Sequence, residues 1–106
     1  MKQLKLNKKC TPEKMIDFGF KKYGANYKMF VPLYENSGEK MIEAEVLISP
    51  TDNYIGYDIL DVCNKTLYTA YYDKEFSTNN VVLNSVLTNL AKLFIELNQK
   101  EIIEIK

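Results

Sequence analysis

Residues 41–48, Met41-Ile42-Glu43-Ala44-Glu45-Val46-Leu47-Ile48, decide the fold. Ile42, Ala44, Val46 and Ile48 fall on one side and Met41, Glu43, Glu45 and Leu47 on the other, the period-two pattern of a strand with one face in a core. The turn-forming run Ser49-Pro50-Thr51-Asp52-Asn53 then sends the chain back as a second strand, Tyr54 to Val62. With Pro50 to Asn53 as the loop, Ile48 opposes Ile55, Val46 opposes Tyr57, Ala44 opposes Ile59, and Glu45 meets Asp58 on the other face. A slip by one residue would carry Asp58 to the core face beside Ala44. An unpartnered charge there costs far more than a screened repulsion at the surface, so the first register is expected.

Upstream, Asn36-Ser37-Gly38 is a turn that leads back into a strand from Tyr27 to Tyr34. Pro32 cannot donate to a ladder and argues for an edge position. Pairing Leu33 with Ile42 and Val31 with Ala44 turns Met29, Val31 and Leu33 inward and Phe30, Pro32 and Tyr34 outward. Downstream, Cys63-Asn64-Lys65-Thr66 turns into a fourth strand, Leu67 to Tyr72, with Ala70 and Tyr72 inward and Thr69 and Tyr71 outward. Two helices flank these strands. Thr11-Pro12-Glu13 starts a short one, with Met15, Ile16 and Phe18 inward and Gly19 as its stop. From about Thr78 to Gln99, Leu83, Val86, Leu87, Leu90, Phe94 and Leu97 recur at helical spacing, with Ser77, Thr78 or Asn79 as the cap. Glu101 to Ile105 fits either a continuation of that helix or a short strand, and the strand, pairing with Gln3 to Leu6, is the expectation. The expectation is one α+β domain over residues 1–106, ordered α-β-β-β-β-α: a four-stranded antiparallel meander sheet covered on one face by the long C-terminal helix and the short N-terminal one.

Composition narrows the class. A chain of 106 residues that is 46% apolar can build one core. It has no run near the ~20 apolar residues of a spanning helix, and Met1 to Lys9 lacks an apolar signal segment, so a cytoplasmic location is expected. Cys10 and Cys63 are too few for a disulfide framework and not spaced as metal ligands, so both read as reduced thiols. All 14 basic residues are Lys. With frequent Asn, Ile and Tyr, that bias matches AT-rich coding. Net charge is zero but unevenly spread: residues 1–28 hold eight Lys against two acids, and residues 29–76 hold nine acids against three Lys. The molecule is expected to be electrically two-sided.

With no His, the commonest general base and metal ligand is missing. Neither Cys has a histidine to activate it, the four glycines form no phosphate loop, and no Ser sits in a nucleophile elbow. The expectation is a protein that is not an enzyme, with no catalytic residue, cofactor or resident metal. Attention moves to the outer sheet face, where the registers gather Phe30, Tyr34, Glu43, Glu45, Asp58, Leu60 and Tyr71, with Leu47 among them. That is more apolar surface than a solvated sheet face carries. Either the basic N-terminal segment folds across it, with Leu4 and Leu6 over its apolar part, or the face binds a target protein or a second copy. A cation held by Glu43, Glu45 and Asp58 is a weaker third reading, because hard cations recruit more oxygens from loops. The alternative functional class is nucleic-acid binding through Lys8, Lys9, Lys21 and Lys22. A pI of 6.3 and the lack of Arg argue against it.

The stretches Thr11-Pro12-Glu13-Lys14 through Phe20-Lys21-Lys22-Tyr23-Gly24, Ile42-Glu43-Ala44-Glu45, Tyr57-Asp58-Ile59-Leu60-Asp61 and Leu67-Tyr68 together resemble a pattern in small uncharacterised phage and prophage proteins of low-GC Firmicutes. The resemblance covers most of the chain and has no single diagnostic motif. It implies an accessory gene product. That class includes anti-CRISPR and other anti-defence proteins, which act by binding a bacterial protein. On this basis the expected partner is a host protein, with a defence nuclease the first candidate.

Overall fold

The computed structural model describes residues 4–72 and 81–105. In chain order these form β1 (Leu4–Leu6), α1 (Pro12–Phe18), β2 (Lys21–Tyr23), β3 (Asn26–Asn36), β4 (Glu39–Ser49), β5 (Tyr54–Asp61), β6 (Thr66–Leu67), α2 (Thr69–Tyr72), α3 (Val81–Gln99) and β7 (Ile103–Ile105). The fold is α+β. Strands β2 to β6 lie in sequence order in one antiparallel sheet, and β1 pairs with β7 in a separate ribbon. Among the described residues no helix is long and apolar enough to cross a membrane.

The central register is the one that the hydrophobic pattern demands: Ile48 opposes Ile55, Val46 Tyr57, Ala44 Ile59 and Glu45 Asp58. Ile42, Ala44, Val46 and Ile48 are almost wholly buried, and α3 lays Leu83, Val86, Leu90, Leu93 and Leu97 into the same core. Each Val, Leu and Ile among them contributes roughly 1.5–3 kcal/mol by leaving water. Those five positions advance by alternate steps of three and four, one line along a helix. Leu87 stands off that line and is exposed, contrary to expectation, while Leu93 takes the inward place and Phe94 is half-buried. The expected caps Ser77, Thr78 and Asn79 lie outside the described residues. At the other end, Thr11 caps α1 by accepting from the Lys14 N–H, and Gly19, at φ 129°, closes it with its own N–H. Met15 is buried and Phe18 half-buried, one turn apart. Ile16, rotated away from both, is exposed rather than inward.

Four further features depart from the expected plan. The hairpin of β3 and β4 keeps Val31 opposite Ala44, but Tyr34 and not Leu33 opposes Ile42, because the register shifts between Pro32 and Tyr34. This bulge buries Leu33 and turns Tyr34 to the side of Ile42, half-buried against the core, so Tyr34 leaves the outer face. The Leu33 carbonyl, freed from the ladder, accepts from Asn89 Nδ2 of α3 at 2.7 Å. Second, Lys21 to Tyr23 forms a strand absent from the expected plan, closed onto β3 by a two-residue turn with Gly24 at φ 61°. It pairs only as far as Lys28, so β3 is still an edge at Pro32.

Third, the fourth strand stops at Leu67 and the chain turns into α2. The tyrosines at 68, 71 and 72 are spaced for a helical turn, and tertiary contacts favour it. Tyr71 Oη lies 2.6 Å from Tyr57 Oη, and Tyr72 Oη accepts the Ile59 N–H at 2.9 Å. Tyr57 points to the covered face, where its ring meets Phe94 with centroids 5.1 Å apart. Tyr71 therefore belongs to that side and not to the outer face, and Tyr72 is half-exposed rather than inward. Fourth, the N-terminal strand does not cross the outer face. Leu4, Lys5 and Leu6 pair with Ile105, Glu104 and Ile103, as expected apart from Gln3, which lies outside the described residues. Leu6, Ile102 and Ile103 are buried in the core that α3 shares.

Candidate functional site

With α1, α3 and the β1–β7 ribbon on one side and the short α2 beside β5, the other face of the main sheet is uncovered among the described residues. The ladders lay its side chains out in rows. Lys28, Leu47 and Gly56 form one; Phe30, Glu45 and Asp58 the next; Pro32, Glu43, Leu60 and Leu67 the third. Tyr54 joins the first row, because its ring lies along its own strand over Gly56, where a Cβ would collide with it. Phe30 is 45% exposed, Tyr54 51% and Leu67 46%, so large apolar groups meet solvent on three strands of one face.

Of the seven residues expected here, five are present: Phe30, Glu43, Glu45, Asp58 and Leu60. Tyr34 and Tyr71 are not, for the reasons given above. Tyr54 and Leu67 are the additions. Tyr54 was legible, since it shares the alternation of Gly56, Asp58 and Leu60. Leu67 follows from its place opposite Leu60, which needed the end of the fourth strand to be located.

The acids of this face are largely answered by lysines. Lys28 Nζ lies 3.7 Å from Glu45 Oε1, and 5.3 Å from the centre of the Tyr23 ring. Lys40 Nζ lies 3.0 Å from Glu43 Oε1. That contact is an ion pair without hydrogen-bond geometry, so the buried Oε1 has a counter-charge but no donor aimed at it. Asp58 is exposed and has no ion pair among the described residues. Among those residues, no three acidic or thiol side chains converge as a metal site would require. Pairs that keep one partner in contact with water, as Lys28 and Lys40 do, contribute about 0–1 kcal/mol each and act mainly on orientation and selectivity.

The four lysines of the nucleic-acid reading are not gathered. Lys8 and Lys9 sit in the loop before α1, where Lys9 Nζ lies 3.4 Å from Glu101 Oε2. Lys21 and Lys22 are successive residues of β2 and point to opposite faces, Lys21 opposite Lys28 and Lys22 opposite Tyr27. Glu101 also holds Lys14 Nζ at 3.2 Å, and these two lysines keep its carboxyl below the ordinary range. Burial pushes the Cys10 thiol up, outweighing the lowering by Lys14, and a raised thiol is the reverse of what a nucleophile needs. Burial also raises Tyr71 and Tyr72, the first further because its hydroxyl is bonded to that of Tyr57. What the arrangement offers is a surface for contact.

No family model and no curated protein matches this sequence. Among solved structures, the crystal structure of a DUF1831 family protein from Lactobacillus plantarum is similar in fold, with a TM-score of 0.77 at 9% identity, over 100% of this chain and 89% of that one. At that identity the likeness is one of fold.

Proposed function

We propose that this protein works by binding another protein on the open face of its main sheet, without catalysis of its own. The observation that carries the reading is the group Phe30, Tyr54, Leu60 and Leu67, large apolar side chains set among Glu45, Asp58 and Lys28 on a face that no described element covers. Aromatic and aliphatic groups ringed by charge are the composition of a recognition surface. The narrower form of the proposal is a phage-type accessory protein whose partner is a host protein, with a CRISPR or other defence nuclease as the first target to try and inhibition as the outcome. Its support is the sequence resemblance, the small size and the absence of His.

The test is capture from a host lysate followed by direct binding of the purified captured protein. Glu45→Lys combined with Asp58→Lys is expected to abolish that binding while thermal stability stays nearly unchanged, since both side chains lie away from the core. A captured protein that binds the double variant as well as the wild type sinks the assignment of the face. A panel of defence nucleases left fully active sinks the narrower form.

A second reading has one observation in its favour. Lys21 and Lys28 are opposite each other on β2 and β3, with the Tyr23 ring beside Lys28, a basic and aromatic corner of the same face. Lysines neutralise phosphates and tyrosines stack on bases, so this corner would bind single strands with an affinity that falls steeply with salt. No mobility shift at low salt removes it.

A further inference from the structure

We infer that the open stretch of the β5 edge, Ile55 to Tyr57, takes up an extended peptide segment bearing Lys or Arg as an added strand. The reasoning starts from the direction of backbone groups. In an antiparallel strand, alternate residues offer both N–H and C=O to the same neighbour. The Val62 N–H donates to the Met41 carbonyl at 3.0 Å, which turns the even-numbered residues of β5 toward β4. The odd-numbered ones face the other way. Ile59 shows it, donating its N–H to Tyr72 Oη at 2.9 Å while its carbonyl accepts the Tyr68 N–H at 2.8 Å.

On that side β6 pairs only with Leu60 and Asp61, and the Tyr68 and Tyr72 contacts satisfy Ile59. Two positions further back, Ile55 and Tyr57 present two N–H and two C=O groups on the same side, with no strand among the described residues paired to them. An open edge is normally blunted by Pro, Lys or a bulge. Tyr54-Ile55-Gly56-Tyr57-Asp58 contains neither residue, and its pairing with β4 runs without a register shift.

Beside this edge lies a cleft of about 400 Å³, lined among others by Leu4, Tyr54, Tyr57, Tyr71 and Tyr72. An added strand places alternate side chains to either side. One set would meet Tyr57 and Tyr71, the other Tyr54, and tyrosines supply rigid contact area at low entropic cost. Leu4 and Tyr72 wall the edge in, which favours a single extended chain over the continuous sheet edge of a second copy. Asp58, exposed, hydrogen-bonded to the Tyr72 hydroxyl and without an ion pair among the described residues, stands at the end of the open stretch. It selects a cation on the incoming segment. Tyr54 and Asp58 border both this edge and the open face, but the backbone groups of Ile55 and Tyr57 point along the sheet and not out of that face, and the inference does not depend on the proposed function.

The experiment pans a random displayed heptapeptide library on the full chain, then adds the best synthetic peptide to isotope-labelled protein. Expected are enriched sequences that alternate and contain Lys or Arg, and exchange of the Ile55 and Tyr57 amides slowed about tenfold or more, with those of Phe30 and Leu47 unmoved. Asp58→Asn should weaken the peptide roughly two- to fivefold, the size of one exposed ion pair. Phe30→Lys, which damages the open face, should leave peptide binding intact, so this inference and the proposed function fail separately. No enriched sequence, unchanged exchange at Ile55 and Tyr57, protection centred on Phe30 and Leu47, or peptide-induced dimerisation would each overturn it.

Discussion

The two faces of β4 belong to one strand and obey opposite rules. On the covered side, Ile42, Ala44, Val46 and Ile48 interlock with α3 and are buried to within a few per cent. On the open side, Glu43, Glu45 and Leu47 are half-buried by their neighbours on adjacent strands, and the two acids lean on Lys40 and Lys28. Neighbouring residues thus differ in what holds them: dense packing on one side, cross-strand company and water on the other. The contrast teaches that stability is concentrated on one face, which leaves the other free to change with the partner it meets.

The largest expected effect tests the covered face. Ile48→Ala empties a fully buried site and should cost roughly 2–5 kcal/mol, because a packed core collapses only partly around a lost side chain. In thermal denaturation each kcal/mol lowers the midpoint by about 4–8 °C for a domain of this size. A cost near zero would break the comparison.

Next comes the margin of that face, where Tyr71→Phe deletes the 2.6 Å hydroxyl contact with Tyr57 and should cost about 1 kcal/mol. The pH dependence has a definite sign. The fold raises the Tyr71 hydroxyl above its ordinary value, so it favours the neutral phenol. Its contribution is complete below about pH 10, where the unfolded tyrosine titrates, and is lost as pH climbs through the raised value. The stability of the wild type should therefore fall more steeply than that of the variant on the alkaline side, as denaturant midpoints across that range would report.

On the open face, Gly56→Ala pushes the Tyr54 ring off its strand. The ring is half exposed and can swing away, and alanine reduces unfolded-chain entropy, so the net change should stay under about 1 kcal/mol while the Tyr54 ring resonances move. Smallest of all, Phe30→Lys should alter stability by no more than about 0.5 kcal/mol. A loss comparable to that of Ile48→Ala would mean that the two faces are not the contrast described.

Most of the open face was legible because its rows follow from one register. Once Ile48 opposes Ile55, the positions of Glu45, Asp58, Glu43 and Leu60 are set by alternation, with no further information. Tyr34 and Tyr71 were misplaced by the same rule, carried past the point where alternation ends. The bulge at Leu33 is a local break in period whose freed carbonyl finds its partner 56 residues away, in the Asn89 side-chain amide that donates to it. Likewise Leu67 to Tyr72 is rich in β-formers, and its own composition cannot reveal that Tyr72 will reach Ile59 and Tyr71 will reach Tyr57.

By itself, then, the sequence determined the α+β class, the central register, the α1 start at Thr11 and the stop at Gly19. These rest on local signals: period, capping, turn residues and the cost of burying a charge. Only the tertiary structure decided which side the β1–β7 ribbon covers, where the fourth strand gives way to a helix, and that among the described residues no strand pairs with β5 at Ile55 and Tyr57. The reason is that a backbone group or an apolar face is indifferent to the identity of its neighbour, and is satisfied by whichever element the packed chain brings to it.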